Sequence, residues 1–199
     1  SAGAQQGSET TVTAAGFNAA VATDGSGNFV VVWQSTDTDS WGVYGRKFDS
    51  SGAELVPEFQ VNTYETGDQV KPNVAMNDSG EFVVVWESYA QDAAGTYGVY
   101  GQQFDALGNT VDGEFLVNTT TDGSQRAPAA GLADSGRFIV SWRGNGDGDA
   151  AGVFTKGYGL PIAFTVGDGT VDATMTFSGS ITDVNAALEG LIFTPTTSY

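Results

Sequence analysis

Three oxygen-bearing side chains, those of Asn145, Asp147 and Asp149, alternate with glycines in one short segment. Calcium takes carboxylate and amide oxygens, and this spacing wraps such oxygens around the ion in the first half of an EF-hand loop. The glutamate that would close the loop is replaced by Lys156. The segment therefore predicts a calcium site at these three residues, with a plain Gly-Asp turn as the alternative.

Acidic residues recur at the equivalent place in earlier parts of the chain. Asp37 and Asp39 stand in one such loop, and Asp92 stands in another. Recurrence favours Asp37 and Asp39 as further metal ligands that hold Ca²⁺ as a cofactor. A solvated acidic rim fits the same pattern, and it is the preferred interpretation for Asp92.

Two aromatic residues, Trp41 and Tyr97, are predicted to lie in or beside the same loops. Aromatic rings offer apolar faces on which sugar rings stack, so these two are candidate ligand contacts. The remaining tryptophans stand at the ends of predicted strands, where aromatic side chains usually fill a core; these are Trp33, Trp86 and Trp142.

The chain has no cysteine and no histidine. This composition excludes disulfides, thiolate nucleophiles, Ser-His-Asp catalysis and the usual zinc ligand sets. Carboxylate pairs for glycoside hydrolysis remain compatible with the spacing, but no acidic residue has a distinctive apolar context. The sequence therefore predicts that the chain is not an enzyme and that it has no catalytic residues.

The chain is strongly acidic, with 24 Asp and Glu against 7 Lys and Arg and a net charge of −17. Nucleic acids and anionic membranes both require clustered basic residues, so neither is expected as a partner. Acidity favours cations as partners or a saline medium; simple solubility of a secreted protein is the alternative. No apolar run approaches the ~20 residues that span a bilayer, so membrane insertion is not expected.

One segment occurs three times at nearly equal intervals, as Phe29–Trp33, Phe82–Trp86 and Phe138–Trp142. A run of β-branched residues that ends in an aromatic residue is typical of a strand buried on both faces. Repetition at a regular interval indicates repeated supersecondary units. These strands are expected to position the loops that carry the candidate residues.

The sequence of each unit predicts four short strands joined by Asp-, Ser- and Gly-rich turns. Three such units predict an all-β, β-propeller-like fold of three antiparallel blades. The blade region spans 9–158, with units at 9–63, 64–119 and 120–158. The third unit lacks its fourth strand, and a lone strand predicted at Glu9–Thr13 is a candidate to fill that gap. A longer array, a ring of associated chains and an open solenoid are all compatible with three units, and a trefoil or prism is the main rival.

A second region, 159–199, predicts strands at Phe164–Val166, Ala173–Phe177 and Leu191–Pro195. A short helix is predicted at Ile181–Leu188, because it has an N-cap residue and a glycine after its end. The region is too short for a complete sandwich, so a partial β-sandwich-like segment is expected.

Within the second unit, Phe82–Trp86, Gly98–Phe104 and Glu114–Thr119 resemble repeats of very large secreted bacterial proteins, usually grouped with haemolysin-type calcium-binding or adhesin-like proteins. The resemblance covers residues 9–155. The segment 168–195 looks like part of the cadherin-like or Ig-like modules of the same proteins. The resemblance implies export, an extracellular or cell-surface location and calcium, although the glycine-rich nonapeptides of calcium β-rolls are absent.

The resulting prediction is a non-enzymatic extracellular repeat module, stabilised by calcium and used for adhesion or as a spacer. Its partners would be neighbouring modules or identical subunits, with glycans as a further class. The first alternative is a structural subunit that assembles into rings or fibres by sharing strands. The second is a carbohydrate-binding propeller.

Overall fold

A computed structural model of the chain describes residues 9–146, 149–159, 163–166 and 176–178. Sheet 1 contains β1 (Phe17–Thr23), β2 (Phe29–Thr36), β3 (Trp41–Phe48) and β4 (Glu54–Gln60). Sheet 2 contains β5 (Gln69–Met76), β6 (Phe82–Tyr89), β7 (Tyr97–Phe104) and β8 (Thr110–Leu116). Sheet 3 contains β9 (Arg126–Leu132), β10 (Phe138–Gly146) and β11 (Asp149–Tyr158), and a separate pair contains β12 (Ala163–Val166) and β13 (Thr176–Ser178).

The described residues contain strands and no helix, which confirms the prediction of an all-β fold. Strands within each sheet pair antiparallel in chain order, so each unit of the repeat builds its own sheet. This pairing favours the propeller-like arrangement over the trefoil or prism. No helix in this part of the chain has the length and apolar character that crossing a membrane would require.

Strand β6 lies at the centre of the three described sheets, because both of its faces are buried. Phe82, Val84 and Trp86 belong to one apolar cluster, together with residues of sheet 1. Val83 and Val85 point to the opposite side and belong to a second cluster, together with residues of sheet 3. The burial predicted for the repeated segment is thus confirmed in its second copy, where alternate side chains pack against two different sheets.

Four turns that join strands begin with an Asp or Asn whose Oδ1 atom accepts the backbone N–H groups two and four residues later; they begin at Asp24, Asp49, Asn77 and Asp105. Side-chain hydrogen bonds from Ser51 and Asn109 lower the pKa of the Asp49 and Asp105 carboxyl groups, respectively. The corresponding turn of sheet 3 begins at Ala133, which has no such acceptor, and it keeps the backbone hydrogen bond to Gly136.

In sheets 1 and 2, a glycine on the third strand leaves room for the ring of a phenylalanine from the fourth strand. A Cβ atom on Gly45 would lie 2.7 Å from the Phe59 ring, and one on Gly101 would lie 2.7 Å from the Phe115 ring. In sheet 3 the equivalent position is Thr155. A threonine side chain would overlap a phenylalanine placed as Phe59 and Phe115 are, so the glycine–phenylalanine packing of sheets 1 and 2 is not repeated at Thr155.

The strand predicted at Glu9–Thr13 is wrong, because these residues form no strand. The segment lies instead on sheet 1. The Thr13 methyl group and the Trp33 ring enclose Gly16 so tightly that a Cβ there would lie 2.9 and 2.8 Å from them. Thr13 therefore lies close to Trp33 of sheet 1.

Most of the predicted partial sandwich lies outside the described residues, and so does the helix predicted at Ile181–Leu188. Strand β12 overlaps the strand predicted at Phe164–Val166, and β13 overlaps the end of the one predicted at Ala173–Phe177. The partial sandwich remains a prediction.

Candidate functional site

The predicted site residues lie at one end of the sheets, here called the loop end. It is formed by the β2–β3, β6–β7 and β10–β11 hairpins and by the first residues of β1, β5 and β9. The residues placed there are Asp37, Asp39, Trp41, Tyr97, Asn145 and Asp149. The repeat brings them to the same end of three separate sheets, since equivalent hairpins of equivalent sheets point the same way.

Asp37 and Asp39 order the loop between β2 and β3. The Asp37 Oδ1 atom accepts the backbone N–H groups of Asp39 at 3.0 Å and Ser40 at 2.8 Å. The Asp39 Oδ2 atom accepts the N–H of Gly67 at 2.7 Å, which joins this loop to the start of sheet 2. These carboxylates therefore act as loop caps, although the buried Oδ2 atom of Asp37 has no hydrogen-bond partner.

Within the described residues, no group of three or more acidic side chains is arranged to hold a metal ion. Asp147 lies outside those residues, and only the backbone of Asp149 is described. The backbone carbonyl of Asn145 accepts a hydrogen bond from Gln125 Nε2 at 3.0 Å, which fixes the start of the loop. Calcium binding at this loop remains a prediction.

Trp41 and Tyr97 both contact a neighbouring sheet. Trp41 is half-buried, lies edge-on to Phe17 at 5.5 Å, and its backbone forms a bridge with Asp68 at the start of sheet 2. The Tyr97 hydroxyl donates to Asp68 Oδ2 at 3.2 Å, and the Arg126 guanidinium lies 3.7 Å above the Tyr97 ring. Burial, followed by the charge of Asp68, raises the pKa of Tyr97. These contacts give both residues a structural role between sheets.

Glu87 is a buried carboxylate that sequence reasoning left in the loop region. Its Oε1 atom accepts the N–H of Ala127 at 2.8 Å, and Lys71 and Arg126 form ion pairs with it at 3.2 and 3.1 Å. Ala127 has a left-handed backbone, with φ of 53°. Glu87 therefore joins sheet 2 to the first strand of sheet 3. The available signal was an acid directly after an apolar run that ends in tryptophan.

The same position makes the same contact between sheets 1 and 2. Gln34 Oε1 accepts the N–H of Lys71, also left-handed with φ of 53°, at 3.0 Å. We call this hydrogen bond the latch. In it, the side chain of the residue after the tryptophan accepts the N–H of the left-handed residue in the first strand of the next sheet. In sheet 3 the position is occupied by Arg143, which offers hydrogen-bond donors and no acceptor.

A concave site lies beside Trp142, between the end of sheet 2 and the outer part of sheet 3. It has a volume of about 390 Å³. We call it the Trp142 cleft; its lining residues are Asn118, Thr119, Thr120, Gln125, Trp142, Asn145, Phe154, Thr155 and Lys156. Thr155 lies on β11, the outer strand of the described sheet 3, so the cleft lies along the side where sheets 1 and 2 carry β4 and β8.

Hydrogen bonds hold the walls of the Trp142 cleft. The Trp142 Nε1–H donates to Gln125 Oε1 at 3.1 Å. Asn118 Oδ1 accepts the N–H of Val99 at 2.7 Å, and Lys156 Nζ donates to the backbone carbonyl of Val117 at 3.0 Å. Side chains fixed in this way are preorganised, so a ligand would bind without ordering them first.

Sequence reasoning assigned Trp142 to the core and gave Phe154 no role. The signal that was available is the difference between units. Thr155 and Lys156 stand where the second unit has Gly101 and Gln102. A departure from the repeat at two adjacent positions marks the place where the third sheet is built differently.

No protein-family model matches the chain, and no curated protein matches it. Solved structures do match. The microbial sialidase Hz136 superposes with a TM-score of 0.51 at 12% identity, over 71% of this chain and 35% of that chain. An endo-arabinase from Bacteroides thetaiotaomicron gives 0.46 at 12% identity, over 71% and 55%. An α-L-arabinofuranosidase from Lactobacillus brevis gives 0.43 at 14% identity, over 80% and 55%.

These comparisons correct the prediction that the chain is not an enzyme, because the structure that superposes at a TM-score of 0.51 is named as a sialidase, which is an enzyme. The prediction rested on the missing histidine and cysteine, and glycoside hydrolysis requires only carboxylic acids, of which this chain has many. The chain spans 35% of the length of the sialidase and 55% of the length of the endo-arabinase. At such low identity the similarity establishes a propeller-like fold and assigns no activity.

Proposed function

We propose that this chain is a glycan-binding, propeller-like module and that the Trp142 cleft holds a sugar unit. The observation that supports the proposal is the lining of the cleft, which combines two aromatic rings with amide, hydroxyl and ammonium groups. Its volume of about 390 Å³ falls within the range of small-molecule sites. The sialidase of similar fold makes glycans the first ligand class to test.

Sugar rings present two kinds of surface, and the cleft offers a complement to each. The apolar C–H face of a pyranose packs on aromatic carbon, which half-buried Phe154 supplies, with the largely buried Trp142 behind it in the lining. Hydroxyl groups at the ring edge need hydrogen-bond donors and acceptors, which Asn145 and Thr155 carry. Lys156 adds a positive charge in a chain of net charge −17, which favours sugars that carry a carboxylate.

The setting that we propose is an extracellular repeat region of a large bacterial protein, with adhesion to glycans as its use. The support is the resemblance of the three units to repeats of secreted bacterial proteins, together with the acidic composition. Three sheets in one chain also fit a propeller with more blades than this chain supplies.

A glycan array followed by calorimetric titration of any hit tests the proposal. Phe154→Ala and Lys156→Gln are expected to weaken binding about tenfold each, which corresponds to about 1.4 kcal/mol. Lys156→Gln is conservative because the equivalent residue of sheet 2 is Gln102. Leu107→Ala, in an exposed turn at the opposite end of sheet 2, is the matched control and should bind as the parent does.

An array without hits for neutral or acidic glycans would contradict the proposal, and so would binding that both cleft variants leave unchanged. Incubating any bound oligosaccharide with the protein and assaying new reducing ends then shows whether the ligand is also cleaved.

A further inference from the structure

The two contacts between neighbouring sheets use the same pair of faces. The leading face of a sheet meets the next sheet; its apolar residues are Val30, Val32 and Val43 in sheet 1 and Val83, Val85 and Val99 in sheet 2. The receiving face meets the preceding sheet; its residues include Phe82, Val84 and Trp86 in sheet 2 and Phe138, Val140 and Trp142 in sheet 3. Each internal contact is therefore leading face against receiving face.

Sheet 3 has a leading face that no described part of the chain buries. Ile139 is equivalent to Val83, and it is 54% exposed where Val83 is 1% exposed. Val153 is equivalent to Val99, and it is 81% exposed where Val99 is fully buried. Large apolar side chains at these two positions keep the pattern of an interface that is occupied elsewhere in the same chain.

Sheet 1 has the matching receiving face at Phe29 and Val31, whereas the third residue of that face, Trp33, is 2% exposed and has Thr13 and Gly16 beside its ring. In sheets 2 and 3 this face carries a stacked aromatic pair; the pairs are Phe82 with Phe104 at 4.7 Å and Phe138 with Tyr158 at 4.5 Å. In sheet 1, Phe29 stacks on Phe48 at 5.0 Å with 19° between the ring planes. Phe29 and its neighbour Val31 are half-buried, whereas Phe82 and Val84 are fully buried.

We propose that the leading face of sheet 3 binds the receiving face of sheet 1 of a second copy of this chain. A contact between two different faces either closes into a ring or continues as a filament. The described part of each chain contributes three sheets of this type, so two chains that close on each other give a ring of six, which lies within the four to eight blades typical of propellers. A ring of three chains would have nine and would exceed that range.

Arg143 gives this contact a chemistry different from that of the internal ones. It stands at the latch position, where Gln34 and Glu87 accept an N–H from the next sheet. Opposite it in the second copy would be Phe17, which is equivalent to Arg126 and is 61% exposed. In the proposed contact, a cation–π interaction between Arg143 and the Phe17 ring would stand where the internal contacts have the latch hydrogen bond. The chain already has such an interaction, since the Arg126 guanidinium lies 3.7 Å from the centre of the Tyr97 ring.

Light scattering after size-exclusion chromatography, over a range of loading concentrations, tests the proposal. The parent chain is expected to give twice the 20.6 kDa of one chain. Ile139→Asp and Val153→Asp should each weaken the dimer at least tenfold, because each buries a charge in the contact. Leu107→Asp places the same charge on an exposed apolar residue outside the proposed contact and should leave the dimer intact. Circular dichroism melts establish that each variant is folded.

Mixing two variants distinguishes a contact between two different faces, leading against receiving, from a contact between two identical faces. Val31→Asp damages only the receiving face, and Ile139→Asp damages only the leading face. A mixture of the two retains one undamaged contact per pair, so heterodimers should form where neither variant dimerises alone. A parent that is monomeric up to about 1 mM overturns the proposal. A dimer insensitive to Ile139→Asp or a mixture without heterodimers overturns it as well, and growth into filaments overturns the closed ring of six sheets.

Discussion

Val83 and Ile139 occupy the same position of the repeat, and yet Val83 is 1% exposed and Ile139 is 54% exposed. The difference comes from the number of neighbouring sheets. Sheet 2 is enclosed on both sides, whereas one side of sheet 3 meets no described part of the chain. The environment of each residue therefore depends on the place of its sheet in the row as much as on its own strand.

Removing the carboxylate of Glu87 should destabilise the contact between sheets 2 and 3. In Glu87→Ala the N–H of Ala127 and the charges of Lys71 and Arg126 lose their common partner. We expect the free energy of unfolding to fall by about 2–3 kcal/mol, below the usual cost of breaking a buried ion pair because both cations are partly exposed. Urea unfolding followed by tryptophan fluorescence measures the change.

Glu54→Ala is the control for that experiment. Glu54 pairs with Arg46 at 3.4 Å, but its side chain is largely exposed, so its loss should cost under about 1 kcal/mol. Equal losses in the two variants would contradict the structural role of Glu87.

A methyl group at Gly101 should disturb the outer edge of sheet 2. In Gly101→Ala the new Cβ atom would lie 2.7 Å from the Phe115 ring, so β7 or β8 must shift. We expect a loss of about 1–3 kcal/mol, as is usual for overpacking. Gly113→Ala, where no atom lies within 4 Å of the new Cβ, should change stability by less than about 0.5 kcal/mol.

Acid should destabilise the protein through the turn aspartates. Hydrogen bonds hold the pKa of Asp49 and Asp105 below the ordinary value of 3.8. A carboxyl group whose pKa is lower in the folded chain stabilises it fully above the unfolded pKa, and this contribution is lost as pH falls through the folded pKa. The free energy of unfolding should therefore decline below about pH 4.

Asparagine at both positions tests the cause, because Asn77 already forms the same turn with its amide oxygen. The double variant Asp49→Asn/Asp105→Asn should show a shallower decline in acid and similar stability at neutral pH. An unchanged acid slope would mean that other carboxyl groups dominate.

Calcium binding at the loop that begins with Asn145 is tested by thermal melts with millimolar Ca²⁺ and with a chelator. Binding to the folded chain alone raises the melting temperature by mass action. Asp37→Ala should lower the melting temperature equally with and without calcium, because alanine has no oxygen to accept the N–H groups of Asp39 and Ser40. A melting temperature that the chelator leaves unchanged contradicts the calcium prediction.

Features that the sequence predicted well are local ones. The continuous apolar run Phe82–Trp86 predicts burial on both faces, and Asp or Asn three residues before a glycine predicts the turns. Features that it missed depend on partners distant in the chain. The acceptor role of Glu87 requires Ala127, and the packing of Thr13 near Trp33 requires a residue of β2.

The same distinction explains the candidate site. Trp41 and Tyr97 were selected because they lie beside loops, but their neighbours Phe17 and Arg126 come from other strands and use part of their ring surfaces. Trp142 occupies a core position in the repeat pattern. It lines a cleft because the described sheet 3 has three strands and no fourth. The residue type and position of Trp142 do not indicate this, because it depends on the rest of the sheet.

Hydrogen exchange resolved along the chain tests directly whether sheet 2 is packed between sheets 1 and 3. Amides of Phe82–Glu87 are expected to exchange most slowly, since β6 has a hydrogen-bonded strand on each side and a packed sheet on each face. The equivalent amides of β10 should exchange faster in a monomeric variant such as Ile139→Asp. If β6 exchanged as fast as the exposed turns, the stacked arrangement of the three sheets would be contradicted.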